Sequence, residues 1–195
     1  MSIEQYDNYK VNKVSSDERF NLIIKLNQSG TKKARVLMMN PSYANTVLSD
    51  PTTNLVINKL KSEEPEYKEV EILNVSPKIT PQPFELLMLD NEEEQYNIHY
   101  LCKKMTDKNY DLFFATGNII QNSPNDVQDQ MRNMYQAVLK KLEPIQEQYN
   151  IYTYGLTEIY GKHISRDTGN LSSSKTPVSI DHDDNKYKDK YYLTK

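Results

Sequence analysis

The chain predicts an α/β fold: a central, mostly parallel sheet with helices on both faces and an N-terminal hairpin. Three observations carry this. Short apolar runs recur and stop at Pro, Gly, Asn or Ser; segments of helical periodicity separate them; and the whole fits one core, since a single core grows to roughly 200 residues before splitting and the chain has 195.

The elements follow in order. Arg19 to Leu26 alternates around Phe20, Leu22, Ile24 and Leu26, and Asn27-Gln28-Ser29-Gly30 then leads into the apolar run Ala34 to Met39. Two such runs joined by turn residues read as an antiparallel hairpin. The second strand stops at Asn40-Pro41-Ser42, where proline removes a backbone donor. A helix begins at Asp50, an N-cap type followed by Pro51, with Val56, Ile57 and Leu60 on one face. Val70 to Val75 is the next strand, closed by Ser76-Pro77.

Ile98, Leu101, Cys102 and Met105 stand at i, i+3, i+4 and i+7, so an amphipathic helix covers about Glu92 to Asp107. Asp111 to Thr116 is a short buried strand ended by Gly117-Asn118. Ser123-Pro124 with Asp126 opens a long helix carrying Val127, Met131, Met134, Val138 and Leu142 inward, which Pro144 should kink or end. Asn150 to Tyr154 is the last strand, and 155–168 a polar loop. Residues 1–18 read as a polar arm, 19–168 as the single domain, and 169–195 as a polar tail, mostly extended or disordered, with Tyr191, Tyr192 and Leu193 able to dock back.

Composition narrows the function classes. The net charge of -3 carries no global positive field of the kind nucleic-acid binders show, although a local basic patch remains open. Cys102 is the single cysteine, which excludes an internal disulfide and a Cys-based zinc site and suits a reducing, cytoplasmic setting. There is no apolar stretch of about 18 residues and no leader-like start at Met1 to Lys10, so no membrane association is expected. No Gly-rich phosphate loop and no Gly-x-Ser-x-Gly elbow occur. His99, His163 and His182 are scattered, and the run Asp181-His182-Asp183-Asp184 reads as a solvated charge cluster; no metal or redox cofactor is implied. Nothing in the chain fixes an oligomeric state.

In open α/β sheets ligands bind outside the carboxyl ends of the strands. Four such exits carry polar side chains: Asn40-Pro41-Ser42-Tyr43, Asn74-Val75-Ser76-Pro77, Thr116-Gly117-Asn118, and the loop around Lys162-His163. The strands at 36–39, 70–74 and 112–116 should therefore be neighbours, with Asn40, Asn74 and Gly117 on one edge. The plainer alternative, that each Asn and Ser only satisfies its own turn, stays open.

Arg19-Phe20, Val36 through Asn45 with its Asn40-Pro41-Ser42-Tyr43-Ala44 core, Asp50-Pro51-Thr52 and Ile72-Leu73-Asn74-Val75 together resemble the bacterial and phage family called domain of unknown function 1643. The likeness runs from about Arg19 to His163, and that name carries no activity. More distantly, the order Met39-Asn40-Pro41-Ser42, Leu73-Asn74, Phe113 to Gly117 and Gly161-Lys162-His163-Ile164-Ser165 is similar to the uracil-DNA glycosylase superfamily. Thr116 stands where that family has a tryptophan, and the His163 loop lacks its usual prolines. The resemblance implies a glycosylase-like three-layer architecture, in which Asn74 reads the edge of an extruded base, Tyr43 stacks on it, and Asn40 positions the attacking water. It further implies that His163 stabilises charge on the departing base and that Lys162 and Arg166 contact phosphate. Pro41, Ser42, Gly117 and Asn118 would line the pocket. The resulting expectation is a protein recognising a base of nucleic acid or nucleotide, with N-glycosylase chemistry as its activity. Two rivals stand beside it: a catalytically silent accessory protein binding a protein partner, and an enzyme acting on free nucleotides.

Overall fold

The computed structural model describes residues 2–6, 9–13, 18–41, 51–80, 86–117, 124–157, 160–163, 174–183 and 190–195. Strands β1 (Ser2–Tyr6), β2 (Tyr9–Lys13), β3 (Arg19–Lys25) and β4 (Lys32–Met38) precede helix α1 (Pro51–Glu63). Then come β5 (Tyr67–Asn74), α2 (Asn91–Met105), β6 (Asp111–Phe114) and α3 (Asn125–Leu142). After a 3-10 turn over Glu143–Gln148 follow β7 (Ile151–Thr153), β8 (Leu156–Thr157), β9 (Tyr160–Gly161), β10 (Thr176–Pro177), β11 (Ser179–Asp183) and β12 (Lys190–Thr194).

Eight strands form one sheet in the order β1-β2-β3-β5-β4-β6-β7-β10. Its centre is parallel, β5 with β4, β4 with β6 and β6 with β7, while β1, β2, β3 and β10 add antiparallel strands at the flanks. Alternation along the central strands splits the core in two, because successive side chains point to opposite faces. Val36, Met38, Ile72 and Phe113 pack with Val56 and Leu60 of α1 on one face. Leu37, Leu73, Leu112 and Phe114 pack with Leu101 and Met105 of α2 and with Met131, Met134 and Val138 of α3 on the other. The result is a helix–sheet–helix sandwich.

The helices begin and end for local reasons. Asp90 caps α2, its side chain accepting from the Glu92 and Glu93 amides while Glu93 answers the Asp90 amide, a complete capping box. Lys103 and Lys104 in its last turn complement the helix dipole. α3 stops at Leu142, just before Pro144, and the chain tightens into the 3-10 turn.

Two expectations need correction. The runs at 19–26 and 34–39 are antiparallel but do not pair with each other: β5 lies between them. The connection crosses the start of β5 and is stapled to it, Leu26 N–H donating to Lys68 O at 2.8 Å and Thr31 and Lys32 N–H both to Glu66 O at 3.0 Å. Gly30 permits the crossing, since a Cβ there would lie 2.7 Å from the Lys68 nitrogen. A turn signal is local and cannot distinguish a tight hairpin from a loop that steps over one strand. The antiparallel neighbours that do form at the N-terminus are β1 with β2, in the polar arm, and β2 with β3.

The tail also differs from the expectation of extended or disordered chain. β10 extends the main sheet along β7, and β11 pairs with β12 in a separate hairpin. Val178, Ile180 and Leu193 are buried in the core that holds α2 and α3. Average polarity hid this, because a few apolar residues placed at alternate positions are enough to seat a strand. Lys175 fastens the same segment to the α1–β5 turn through Glu64 (2.5 Å) and Glu66 (2.7 Å).

Candidate functional site at the strand exits

The register places Met38 opposite Asn74 and Leu37 opposite Phe114. The strands carrying Asn40, Asn74 and Gly117 are thus neighbours, and all three residues lie at the same carboxyl edge. α1 returns the chain from the exit of β4 to the start of β5, so its first turn, with buried Thr53, stands at that edge too.

Beyond the strands the exits stay knitted together. Val75 and Ser76 N–H donate to Met38 O (2.9 Å) and Met39 O (3.0 Å), and Thr80 N–H donates to Pro41 O (3.1 Å). Asn40 is held within this weave: its Nδ2 donates to Thr80 O at 2.8 Å and to Pro41 O at 3.3 Å. Its Oδ1 is left as the unengaged acceptor among the described residues. Asn40 therefore serves its own turn with one end of the amide and keeps the other available.

Asn74 is different. Val70 and Ile72 point to the α1 face, so Asn74, two residues on, points there as well. It is 3 % exposed, and its Nδ2 has no hydrogen-bond partner among the described residues. Such a buried, unpaired donor costs about 1–3 kcal/mol, so the Asn74 nitrogen carries hydrogen-bonding capacity that the described residues leave unmet.

The third wall is built by glycines. Gly117 has φ +70°, in the left-handed region, and a Cβ there would fall 2.7 Å from the His163 Cβ. Gly161 is tighter: a Cβ would fall 2.0 Å from Phe114 O, so the backbone of β9 lies directly on the end of β6. Gly117 N–H donates to Gly161 O at 2.7 Å, and Lys162 N–H to Gly155 O at 2.7 Å. The Thr153 hydroxyl lies within hydrogen-bond distance of Phe114 O (3.0 Å) and Gly155 O (2.6 Å). His163 is thereby seated at the exit of β6, while the Lys162 side chain runs along Gly155. Thr153 is not among the residues the sequence singles out, and Gly161 stands there only as part of the His163 stretch, with no packing role assigned to it.

Ser42, Tyr43, Asn118 and Arg166 lie outside the described residues. Asn40, Pro41, Asn74, Gly117, Lys162 and His163 are described, and all but Lys162 are tied directly to the edge by the contacts above.

A second polar cluster lies at mid-strand in β4 and β5, against the end of α2. Arg35 and Glu71, 1 % and 0 % exposed at their side chains, are joined by Nε (2.8 Å) and Nη2 (2.5 Å) to one carboxylate oxygen. Arg35 Nη1 also donates to Lys104 O, and the guanidinium stacks 3.7 Å from the centre of the Tyr110 ring. The other Glu71 oxygen takes Lys104 Nζ at 2.7 Å and Asn21 Nδ2 at 2.5 Å. Burial opposes the Glu71 charge, yet Arg35 and Lys104 outweigh it and hold the carboxyl below its ordinary pKa. On the far face, a shallow depression of about 410 Å³ between α2 and α3 is lined by Ile98, His99, Cys102, Lys103 and Lys141. Burial pushes the Cys102 thiol up, which makes it a poor nucleophile.

No helix among the described residues is long and apolar enough to cross a membrane. Neither the curated proteins nor the solved structures contain a match to this chain. Strands β3 to β8 and the exits of β4, β5 and β6 fall within a recognised sequence family: the family pattern matches residues 19–158, and the chain belongs to the family described as protein of unknown function, DUF1643.

Proposed function

We propose that the carboxyl edge at the exits of β5, β4 and β6 binds a nucleobase, of a nucleic acid or a nucleotide, and that cleavage of the N-glycosidic bond is the reaction it would carry. The observation behind this reading is the buried, unpaired Nδ2 of Asn74. An amide fixed in a dry site selects a ligand with a matching acceptor, because a ligand lacking it leaves the donor unsatisfied. The carbonyl-bearing edge of a pyrimidine has that chemistry.

The neighbouring groups suit the same reading. Asn40 is oriented by Thr80 O and Pro41 O, and its Oδ1 is the atom that would accept a hydrogen bond from an attacking water. In such a hydrolysis water adds to the sugar C1′, the C1′–N bond breaks with its electron pair leaving on the base, and the proton that the water loses passes through solvent to the departing base. A donor at His163 would stabilise the resulting anion. Lys162 and Arg166 would meet phosphate, and Tyr43 would stack on the base.

The test is a binding and turnover panel on the intact protein: free uracil, a nucleoside monophosphate, and single- and double-stranded oligonucleotides with one uracil. Binding of free uracil or a uracil-bearing strand, weakened in Asn74→Ala, supports base recognition, and abasic-site formation adds the catalytic step. No binding to any member overturns the proposal. A second reading, a docking surface for a protein partner, is favoured by the net charge of -3, since a duplex-binding enzyme usually presents a clearly basic face.

A further inference from the structure

The hairpin β11–β12 stays apart from the main sheet, and side chains stand in for the strands it lacks. Gln136 of α3 donates from Nε2 to Tyr191 O at 2.9 Å and accepts the Tyr191 N–H on Oε1 at 2.8 Å. Gln146 of the 3-10 turn does the same with Ile180, at 2.9 and 2.7 Å. Each amide reproduces the paired donor and acceptor of a neighbouring strand. Beneath these clamps Ile180 and Leu193 are 3 % and 1 % exposed.

From β12 the contacts lead to the candidate site. β12 lies against β9 and α3. The Tyr160 ring of β9 rests on Tyr135 of α3 at 5.3 Å between centroids. Gly161 then sits on Phe114 O, its carbonyl takes the Gly117 N–H, and His163 follows two residues later against Gly117.

We propose that Gln136 and Gln146, acting through the C-terminal hairpin, are positioning residues for His163. The docked hairpin holds β9 on the end of β6 and thereby fixes His163 over Gly117; the hairpin and the His163 loop open together, separately from the β4–β5 core. The inference rests on the base-binding reading only for what His163 does there, and its test uses no ligand.

Native-state hydrogen exchange on the full chain reads it directly. The amides of Ile180 and Tyr191 in the hairpin and of Lys162 and Gly117 in the loop should share one opening, below that of Val75 and Leu112. Gln136→Ala should accelerate all four by about tenfold or more, leave Val75 and Leu112 unchanged, and shift the His163 ring resonances. Faster exchange in the hairpin with Lys162, Gly117 and the His163 ring unmoved would overturn the proposal. Where the variant does not fold, the unmodified protein decides: separate openings for hairpin and loop, or all four amides opening only together with Val75, defeat it equally. Absence of base binding would leave these outcomes intact.

Discussion

β4 and β5 carry polar side chains at mid-strand and at their exits, and the two places are treated oppositely. At mid-strand, Arg35 engages every nitrogen and Glu71 both oxygens. At the exits, Asn74 buries an amide nitrogen that meets no partner among the described residues, and Asn40 commits only half of its amide. The same two strands thus hold an ion pair whose own atoms are all engaged, with only Asn21 Oδ1 beside it unpartnered, and an exit where the donor itself is unpartnered. An engaged cluster specifies a fold, whereas an unpaired buried donor has capacity left for a hydrogen bond.

Breaking the mid-strand ion pair should have the largest effect. Arg35→Met leaves Glu71 buried with its main counter-charge gone, and should cost about 3–5 kcal/mol in urea unfolding. Replacing both residues, Arg35→Met with Glu71→Leu, should recover much of that, because the pair is removed as a unit. A loss under about 1 kcal/mol for Arg35→Met would mean that the cluster is tolerated rather than required. Next comes the tail. Leu193→Ala should cost about 2–4 kcal/mol, the range of a buried leucine truncation, although composition alone marks this segment as dispensable.

Acid should sharpen the contrast. Opposing burial, Arg35 and Lys104 hold the Glu71 carboxyl low; at Glu66 the hydrogen bond from Lys175 does so. A carboxylate whose pKa is depressed by folding contributes stability that is complete above its unfolded value, near 4.5, and lost as pH falls through the folded value. The urea midpoint should therefore be flat just above that value and fall below it. Glu66→Gln should make the fall shallower, by less than any change at fully buried Glu71, since the Glu66 side chain is 33 % exposed and partly screened by water. A midpoint rising on acidification would contradict the directions assigned to both carboxylates.

Much of the sheet was legible because periodicity reports burial. The α2 positions Leu101 and Met105 are fully buried, and Ile98 and Cys102 pack beside them, as the spacing requires. Pairing was less legible: nothing in residues 27–31 announces that β5 enters between β3 and β4. At the site, proline and glycine marked where β4 and β6 end, so the edge itself could be located. The seat of His163 could not, because it depends on Gly161 meeting the Phe114 carbonyl from a segment far along the chain. Close backbone approaches of that kind leave no periodic trace.

The smallest expected change in stability belongs to Asn74, and it decides what the unpaired donor is for. Asn74→Leu keeps the branched shape and heavy-atom count, though it is bulkier, and removes the buried donor together with its desolvation penalty, so stability should change by no more than about 1 kcal/mol in either direction. Binding of a uracil-bearing single strand should weaken by roughly ten- to a hundredfold, because a ligand acceptor then meets a methyl group. Asn74→Asp probes the same position by sign: it replaces the donor with an acceptor and adds charge, so it too should lose binding, while burial makes it less stable than Asn74→Leu. If Asn74 instead only fastened the Ser76-Pro77 turn, Asn74→Leu would lower the midpoint and leave affinity unchanged. Affinity falls and stability holds under the first account, stability falls and affinity holds under the second, so one variant measured for both separates a binding residue from a turn residue.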